Sequence, residues 1–224
     1  IMCKIGEVVV VGGVRRSAMI SLSNLSDDRM RHAKSGAWWE QNGQRALANN
    51  SACYTEKPDV GVFMKEWISL YESKSGERGI FNREAAHNIV KRNGRRNSNH
   101  EFGTNPCSEI ILRPYQFCNL STVVVRAEDT IDSLIVKAEM AAILGTWQST
   151  LTNFPYLRKI WKDNTTEERL LGVSMTGALD NALLNNPDDP NLAARLIDIR
   201  DAVIEMNGLE AKLVGISPSV ACTA

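Results

Sequence analysis

Three side chains capable of chemistry alternate near the middle of the chain, at Asn105, Cys107 and Glu109. In an extended backbone, residues i, i+2 and i+4 point to the same side. An amide, a thiol and a carboxylate would then line one face, as a hydrogen-bond donor, a sulfur nucleophile or radical carrier, and a base. Pro106 removes a backbone donor and biases Asn105 away from helix, which predicts a rigid extended tip.

A second thiol, Cys118, leaves several chemistries open. The segment between the two thiols contains Pro114 and could turn back, so that Cys107 and Cys118 face one pocket and take part in thiol–disulfide exchange. Glu109 or His100 could instead act as base for a Cys107 nucleophile in a hydrolase or transferase. Both thiols could also be buried and unreactive. The cysteines and histidines lack the close spacing of a zinc site, so we expect no metal.

The composition is that of an ordinary globular chain. The 224 residues include 26 basic and 26 acidic side chains, so net charge favours neither nucleic acid nor a membrane surface as a partner. No apolar run is long enough to cross a bilayer. Five scattered cysteines without a C-x-x-C pair favour the cytoplasm over a secreted disulfide scaffold. Neither end carries a terminating signal, so we expect residues 1–224 to form a single internal fragment of a longer protein.

Short strands alternate with longer helices, which predicts an α/β fold. Strands are expected at 7–11, 18–22, 79–82 and 118–125, and a strand or turn at 169–177. Helices are expected from Ser26 toward Lys34, from Pro58 until Gly76, over 83–92 and 131–145, from Ala178 and from Pro190. Asn49, Asn50 and Ser51 predict either a turn or a polar cluster at the mouth of a strand that could read a sugar or a base. The basic loop 92–100 and the pair Arg15-Arg16 are expected to be solvated.

The central motif resembles a known family. The stretch Asn105-Pro106-Cys107-Ser108-Glu109-Ile110, followed by Phe117-Cys118-Asn119-Leu120, resembles the catalytic subunit of ribonucleotide reductases. Three further stretches, 12–18, 45–51 and 169–177, extend the resemblance in the same order along the chain. The first two are most similar to the adenosylcobalamin-dependent class II enzymes.

This resemblance implies that the chain forms part of a ten-stranded α/β barrel, with the cysteine-bearing loop as a finger at its centre. It implies that Cys107 becomes a thiyl radical that removes the 3′ hydrogen of the ribose. Asn105 would bind the substrate hydroxyls, and Glu109 would act as general base on the 3′ hydroxyl. Pro106 and Ser108 would complete the substrate contacts, and Cys118 would be one of two thiols that supply reducing equivalents.

The resemblance also implies adenosylcobalamin as cofactor, a ribonucleoside diphosphate or triphosphate as substrate, and thioredoxin or glutaredoxin as external dithiol, in the synthesis of DNA precursors. It leaves a homodimer open. The family's second redox thiol and its phosphate loop match nothing in this sequence, so we expect the chain alone to be inactive. Two alternatives remain: a class I subunit that needs a separate radical-generating subunit, and a nucleotide-binding barrel without radical chemistry.

Overall fold

A computed structural model describes residues 1–10, 12–14 and 17–223. The chain divides into two compact units, Ile1–Pro114 and Tyr115–Ala224. Each unit has a parallel three-stranded sheet of its own. Among the helices of the described residues, none has an apolar stretch of the length needed to cross a membrane.

The first unit is built on a parallel sheet with β2 at its centre. Its elements are α1 (Met2–Val8), β1 (Met19–Ser23), α2 (Asp28–Arg31), α3 (Trp38–Asn42), a 3-10 helix (Gly43–Leu47), β2 (Ala48–Tyr54), α4 (Val60–Ser73), β3 (Gly79–Asn82), α5 (Arg83–Asn93), β4 (Gly103–Thr104) and β5 (Ile111–Leu112). Met19 of β1 lies opposite Ala48 of β2, and Ser51 of β2 lies opposite Gly79 of β3. Parallel strands joined through helices confirm the predicted α/β fold in this unit.

Side-chain caps fix where the two longer helices of this unit begin. The Asp59 carboxylate accepts hydrogen bonds from the backbone N–H groups of Gly61 and Val62, at 2.8 and 3.2 Å. The Asn82 side chain accepts from the backbone N–H of Ala85 at 2.9 Å. A cap of this kind contributes about 1 kcal/mol to helix stability. Because Asn82 is also the last residue of β3, the chain passes from strand to helix without a loop.

The strand predicted at 7–11 is wrong, because Met2–Val8 forms a helix with no buried residue. The Ile5 N–H donates to the Ile1 carbonyl at 3.1 Å, so the segment satisfies its backbone groups locally. The β preference of valine is a weak signal that depends on packing against neighbouring strands. Val11 and the Arg15-Arg16 pair lie outside the described residues.

The helix expected from Ser26 toward Lys34 is present but short, at Asp28–Arg31, with Asp27 as its N-cap. Asn49, Asn50 and Ser51 do not form the turn that was one of their two predicted roles. They lie in β2, where pairing with β1, and from Ser51 onward also with β3, satisfies the backbone better than a local turn would.

The second unit contains β6 (Asn119–Val124), α6 (Ile131–Gln148), α7 (Lys159–Glu168), β7 (Leu171–Thr176), a 3-10 helix (Ala178–Asp180), α8 (Leu192–Leu213) and β8 (Cys222–Thr223). The strands are parallel and in the order β6-β7-β8. Leu134, Ala138 and Ala142 of α6 pack with Ile199 and Val203 of α8 in the core that covers this sheet. The helix predicted over 131–145 is confirmed as α6.

Two helix boundaries of this unit differ in how well they were predicted. The helix predicted from Ala178 is wrong, since that segment forms only one 3-10 turn. The Asn181 side chain donates to the carbonyls of Arg126 and Asp129 at 2.8 and 2.9 Å, which ties the chain down directly after the turn. The helix predicted near Pro190 is confirmed as α8.

Candidate functional site

The predicted catalytic stretch is the tip of a β-hairpin. β4 and β5 are antiparallel, with Gly103 opposite Leu112 and Thr104 opposite Ile111, and residues 105–110 connect them. The expectation of an extended tip is wrong, because the chain turns at 106–108 and Ser108 has φ of +69°. The alternation of Asn105, Cys107 and Glu109 in sequence therefore does not define one face of a strand.

Asn105 closes this tip with its backbone and its side chain. The Asn105 N–H donates to the Ile110 carbonyl at 3.3 Å, and the Asn105 carbonyl accepts from the Ser108 N–H at 3.0 Å. The Asn105 Oδ1 accepts from the Ile110 N–H at 3.0 Å. An asparagine amide has two N–H donors as well as this acceptor. The side chain thus holds the loop through its oxygen.

The reactive groups of the tip are accessible. Cys107, Ser108 and Glu109 are exposed, Asn105 and Pro106 are half-buried, and Ile110 is buried. The turn therefore presents a thiol and a carboxylate outward while one apolar side chain anchors it. This arrangement excludes the interpretation of Cys107 as a buried small apolar residue.

The base of the hairpin is packed and hydrogen-bonded. Phe102 is fully buried in a cluster that includes Cys53, and Ile111 packs against the same cluster. Burial raises the pKa of the Cys53 thiol. Arg83 Nε donates to the Phe102 carbonyl at 2.6 Å, and Arg96 Nη1 donates to the Ile111 carbonyl at 2.7 Å.

The expected solvation of loop 92–100 is therefore wrong for Arg96. Its guanidinium carbon lies 4.8 Å from the centre of the Phe102 ring, a cation–π distance. Because this ring belongs to the buried core, Arg96 is part of the support of the hairpin rather than a solvated charge. Arg95 of the same loop is exposed, as predicted, and so is Arg92, which lies in the last turn of α5.

A side chain of β2 reaches the tip itself. Asn49 Nδ2 donates to the Pro106 carbonyl at 2.5 Å, across 57 positions of sequence. The sequence assigned Asn49 to a turn or to a polar cluster, and neither hypothesis connected it to Pro106. Three consecutive small polar residues at the start of a strand were the only signal, and such a run is compatible with many roles.

A cavity of about 290 Å³ opens beside the thiol. It is lined by residues of β2, by the loop before β3 and by the hairpin tip: Ile20, Asn49, Asn50, Ser51, Gly76, Glu77, Gly79, Pro106, Cys107 and Ser108. A larger cavity of about 620 Å³ shares Ile20, Asn49 and Asn50 with it. The smaller cavity contains the candidate reactive group and is the one that bears on function.

The lining of the smaller cavity is mostly polar. Two of its side chains are held by other parts of the unit: Asn50 Nδ2 donates to the Met30 carbonyl at 2.6 Å, and Glu77 Oε1 accepts from Lys34 Nζ at 2.7 Å. The other oxygens of these side chains, Asn50 Oδ1 and Glu77 Oε2, are buried, so a ligand would not reach them. It would instead meet the exposed polar residues of the wall, Asn49 and Ser108. A wall of this kind suits a ligand that carries hydroxyl groups.

Cys118 lies in the second unit, half-buried, directly before β6. In that sheet Asn119 is opposite Leu171, and Leu171 is opposite Cys222. Asn119, the residue after Cys118, and Cys222 therefore lie two strands apart, which is about 10 Å between their Cα atoms at the usual strand spacing. A disulfide needs Cα atoms within about 7 Å. Cys222, buried in the core, is not placed to be the second redox thiol.

Comparison with known proteins identifies the family. No family model matches the sequence. The chain is 32% identical over 182 residues to an adenosylcobalamin-dependent ribonucleoside-triphosphate reductase of Lacticaseibacillus paracasei, covering 79% of this chain and 23% of the relative. A protein of the same name from Lactobacillus acidophilus is 30% identical over 217 residues, covering 93% and 27%. The chain is homologous to part of the class II ribonucleotide reductases.

The fold agrees with this relationship. A crystal structure of a B12-dependent (class II) ribonucleotide reductase superimposes with a TM-score of 0.66 over 98% of this chain and 33% of that chain, at 22% identity. The resemblance predicted from the central motif and the α/β fold that it implied are thereby confirmed. The chain spans about a quarter of the length of the curated reductases that it matches. The roles of individual residues within the ribonucleotide reductase reaction stay predictions.

Proposed function

We propose that this chain forms part of the catalytic subunit of an adenosylcobalamin-dependent ribonucleotide reductase, which converts ribonucleotides into 2′-deoxyribonucleotides. The observation that carries the proposal is the exposed Cys107, at a hydrogen-bonded hairpin tip beside a small cavity with a mostly polar lining. Ribose hydroxyls are donors that match such a wall. The relatives act, by name, on ribonucleoside triphosphates, which makes a triphosphate the first substrate to test.

The size of the cavity separates substrate from cofactor. Pockets for drug-sized ligands occupy about 300–1,000 Å³, and a corrin ring is larger than such ligands. The cavity of about 290 Å³ has room for a ribose but not for a corrin. The described residues of this chain therefore do not hold adenosylcobalamin in this cavity, and further parts of a complete reductase would have to bind it. When bound, the cofactor supplies the radical.

The chain's own groups have defined roles in the proposed reaction. Cys107, as the thiyl radical, takes the hydrogen from C3′ of the ribose and later returns it. Glu109 accepts the proton of the 3′ hydroxyl, and Asn105 Nδ2 donates to a substrate hydroxyl. The 2′ hydroxyl leaves as water, with two electrons and two protons from a pair of thiols that become a disulfide. Cys118 is one proposed member of this pair, and an external dithiol reduces the disulfide afterwards.

Substitution of Cys107 in the complete protein tests this function. Ribonucleoside triphosphate, adenosylcobalamin and dithiothreitol are supplied, and deoxynucleotide is measured by chromatography. We expect Cys107→Ser to abolish turnover while the dissociation constant of the nucleotide changes by less than about twofold, since a hydroxyl conserves shape but does not carry the radical. Cys3→Ser is the matched control, because Cys3 is a half-buried thiol outside the motif. Unchanged turnover in Cys107→Ser would end the proposal.

A further inference from the structure

The hairpin alone holds the position of Cys107 only loosely. β4 and β5 are two residues each, joined by the connection 105–110. So short a pair of strands is at most marginally stable by itself. The packing of Phe102 fixes the base of the hairpin, several residues from the thiol. Contacts made by the tip itself therefore decide where the thiol lies.

β2 is a firm support for such a contact. Asn49 lies opposite Ile20 of β1, and two residues later Ser51 lies opposite Gly79 of β3. The central strand is hydrogen-bonded to a neighbour on each side from that point. The backbone of Asn49 is thus held by the sheet, although its side chain is exposed.

The hydrogen bond from Asn49 is made to the peptide group between Pro106 and Cys107. Its acceptor, the Pro106 carbonyl, belongs to the same planar unit as the N–H of Cys107. Fixing the direction of this carbonyl therefore fixes the orientation of the peptide plane that precedes the Cα atom of Cys107, and with it the direction of the Cys107 side chain. The donor must be Nδ2, because a carbonyl oxygen only accepts. At 2.5 Å between Nδ2 and the oxygen, the contact is close.

We propose that Asn49 is a positioning residue, which holds the Cys107 thiol at the mouth of the cavity through the Pro106 carbonyl. This inference rests on the function proposed above, in which the Cys107 thiol must meet one carbon atom of the substrate. Displacement by about 1 Å lowers the rate of such a step by up to about 100-fold. Asn49 itself touches no reacting atom in this role.

Three substitutions separate the donor from the shape of the side chain. Asn49→Ala removes the contact, and Asn49→Asp keeps the shape but places an oxygen against the Pro106 oxygen. Asn49→Gln keeps the donor on a side chain longer by one methylene. We expect Asn49→Ala and Asn49→Asp to lose the positioning of the Cys107 thiol equally. Asn49→Gln should restore at least part of it. Asn88→Ala is the matched control, because Asn88 is exposed on α5 and its side-chain amide donates to Glu84 of the same helix, at 3.3 Å.

The first measurement is hydrogen exchange in the 224-residue chain. The Ser108 and Ile110 amides are protected by bonds to Asn105 within the tip, each 3.0 Å long. Loss of one hydrogen bond should speed their exchange by roughly 2- to 10-fold in Asn49→Ala and Asn49→Asp. Exchange at the wild-type rate would overturn the proposal, whatever the activity of the protein.

The second measurement is steady-state turnover by the complete protein. We expect kcat to fall by about 10-fold or more in Asn49→Asp, with KM within about threefold, because position and not binding is lost. Faster exchange with unchanged kcat would reduce Asn49 to a purely structural contact and also overturn the inference. Absence of turnover in the wild type would refute the proposed function instead, and would leave the exchange result to decide whether Asn49 holds the tip.

Discussion

Removal of the buried carboxylate of Glu66 should destabilise the first unit severely. Glu66 is 1% exposed, on α4. It accepts from Arg78 Nε and Nη2 at 2.7 and 2.8 Å, and from Arg31 Nε at 3.0 Å. Both guanidinium groups are also buried. Glu66→Ala would remove the counter-ion of the buried Arg78 and leave Arg31 with Asp28 at the surface, and breaking a buried ion pair in this way costs about 3–5 kcal/mol.

The free energy of unfolding of the first unit can be measured from the urea dependence of hydrogen exchange at the amides of β1 and β2. Glu72→Ala is the matched control, since Glu72 is exposed on the same helix and a surface change of this kind costs within about 0.5 kcal/mol. A fall of less than about 1 kcal/mol in the free energy of unfolding of Glu66→Ala would refute the argument. The arginines would then have found other partners or solvent.

The same site predicts how stability depends on pH. Burial by itself would raise the pKa of Glu66, but the hydrogen bonds and charges of Arg78 and Arg31 outweigh it and lower the pKa below its ordinary 4.5. A lowered pKa stabilises the fold above the unfolded value, and this contribution is lost as the pH falls through the folded value. The difference between wild type and Glu66→Ala should therefore be full at pH 7 and shrink below about pH 4.5. A difference that stays constant down to pH 3 would contradict the assignment.

Two further predictions concern the second unit. A Cβ at Gly145 would lie 2.2 Å from Leu171 Cδ1, whereas one at Gly208 meets nothing within 4 Å. Gly145→Ala should therefore destabilise the second unit by about 1–3 kcal/mol through overpacking. Gly208→Ala in α8 should stabilise it by up to about 1 kcal/mol. Equal urea midpoints of the two variants would contradict both expectations. The Lys137 hydrogen bond, with others, lowers the pKa of Asp129 to about 2. In Lys137→Met we expect this pKa, followed by NMR titration, to move toward 3.8; an unchanged titration would show that Lys137 is not the main cause.

For α4, helical periodicity was a reliable guide to where the helix lies and a poor guide to which face is buried. It predicted the helix after Pro58, and α4 is there. Yet the apolar side chains that produced the signal, among them Met64 and Trp67, are about half exposed, at 49% and 48%. The buried residue of α4 is Glu66, whose partner Arg31 is 35 positions away. Ion pairing across that separation leaves no periodic trace in the sequence.

The central motif illustrates the same division. The residue types of 105–110 indicated a reactive loop with several possible chemistries, and the resemblance of the motif indicated the reductase family. Its backbone conformation was predicted wrongly, since the turn at 106–108 depends on hydrogen bonds between Asn105 and Ile110 that close the loop. The types and order of the residues were informative at the level of sequence, whereas the conformation of the loop could not be predicted from them.

What the sequence alone determined about this protein is the order of its main α/β elements and, through the motif at 105–110, its resemblance to the reductase family. Both are properties of residues close together along the chain. Tertiary structure decided that the thiol is exposed beside a small polar cavity, and that Asn49 is tied to Pro106. Those facts depend on hydrogen bonds and packing between segments distant in sequence, which local propensity does not specify.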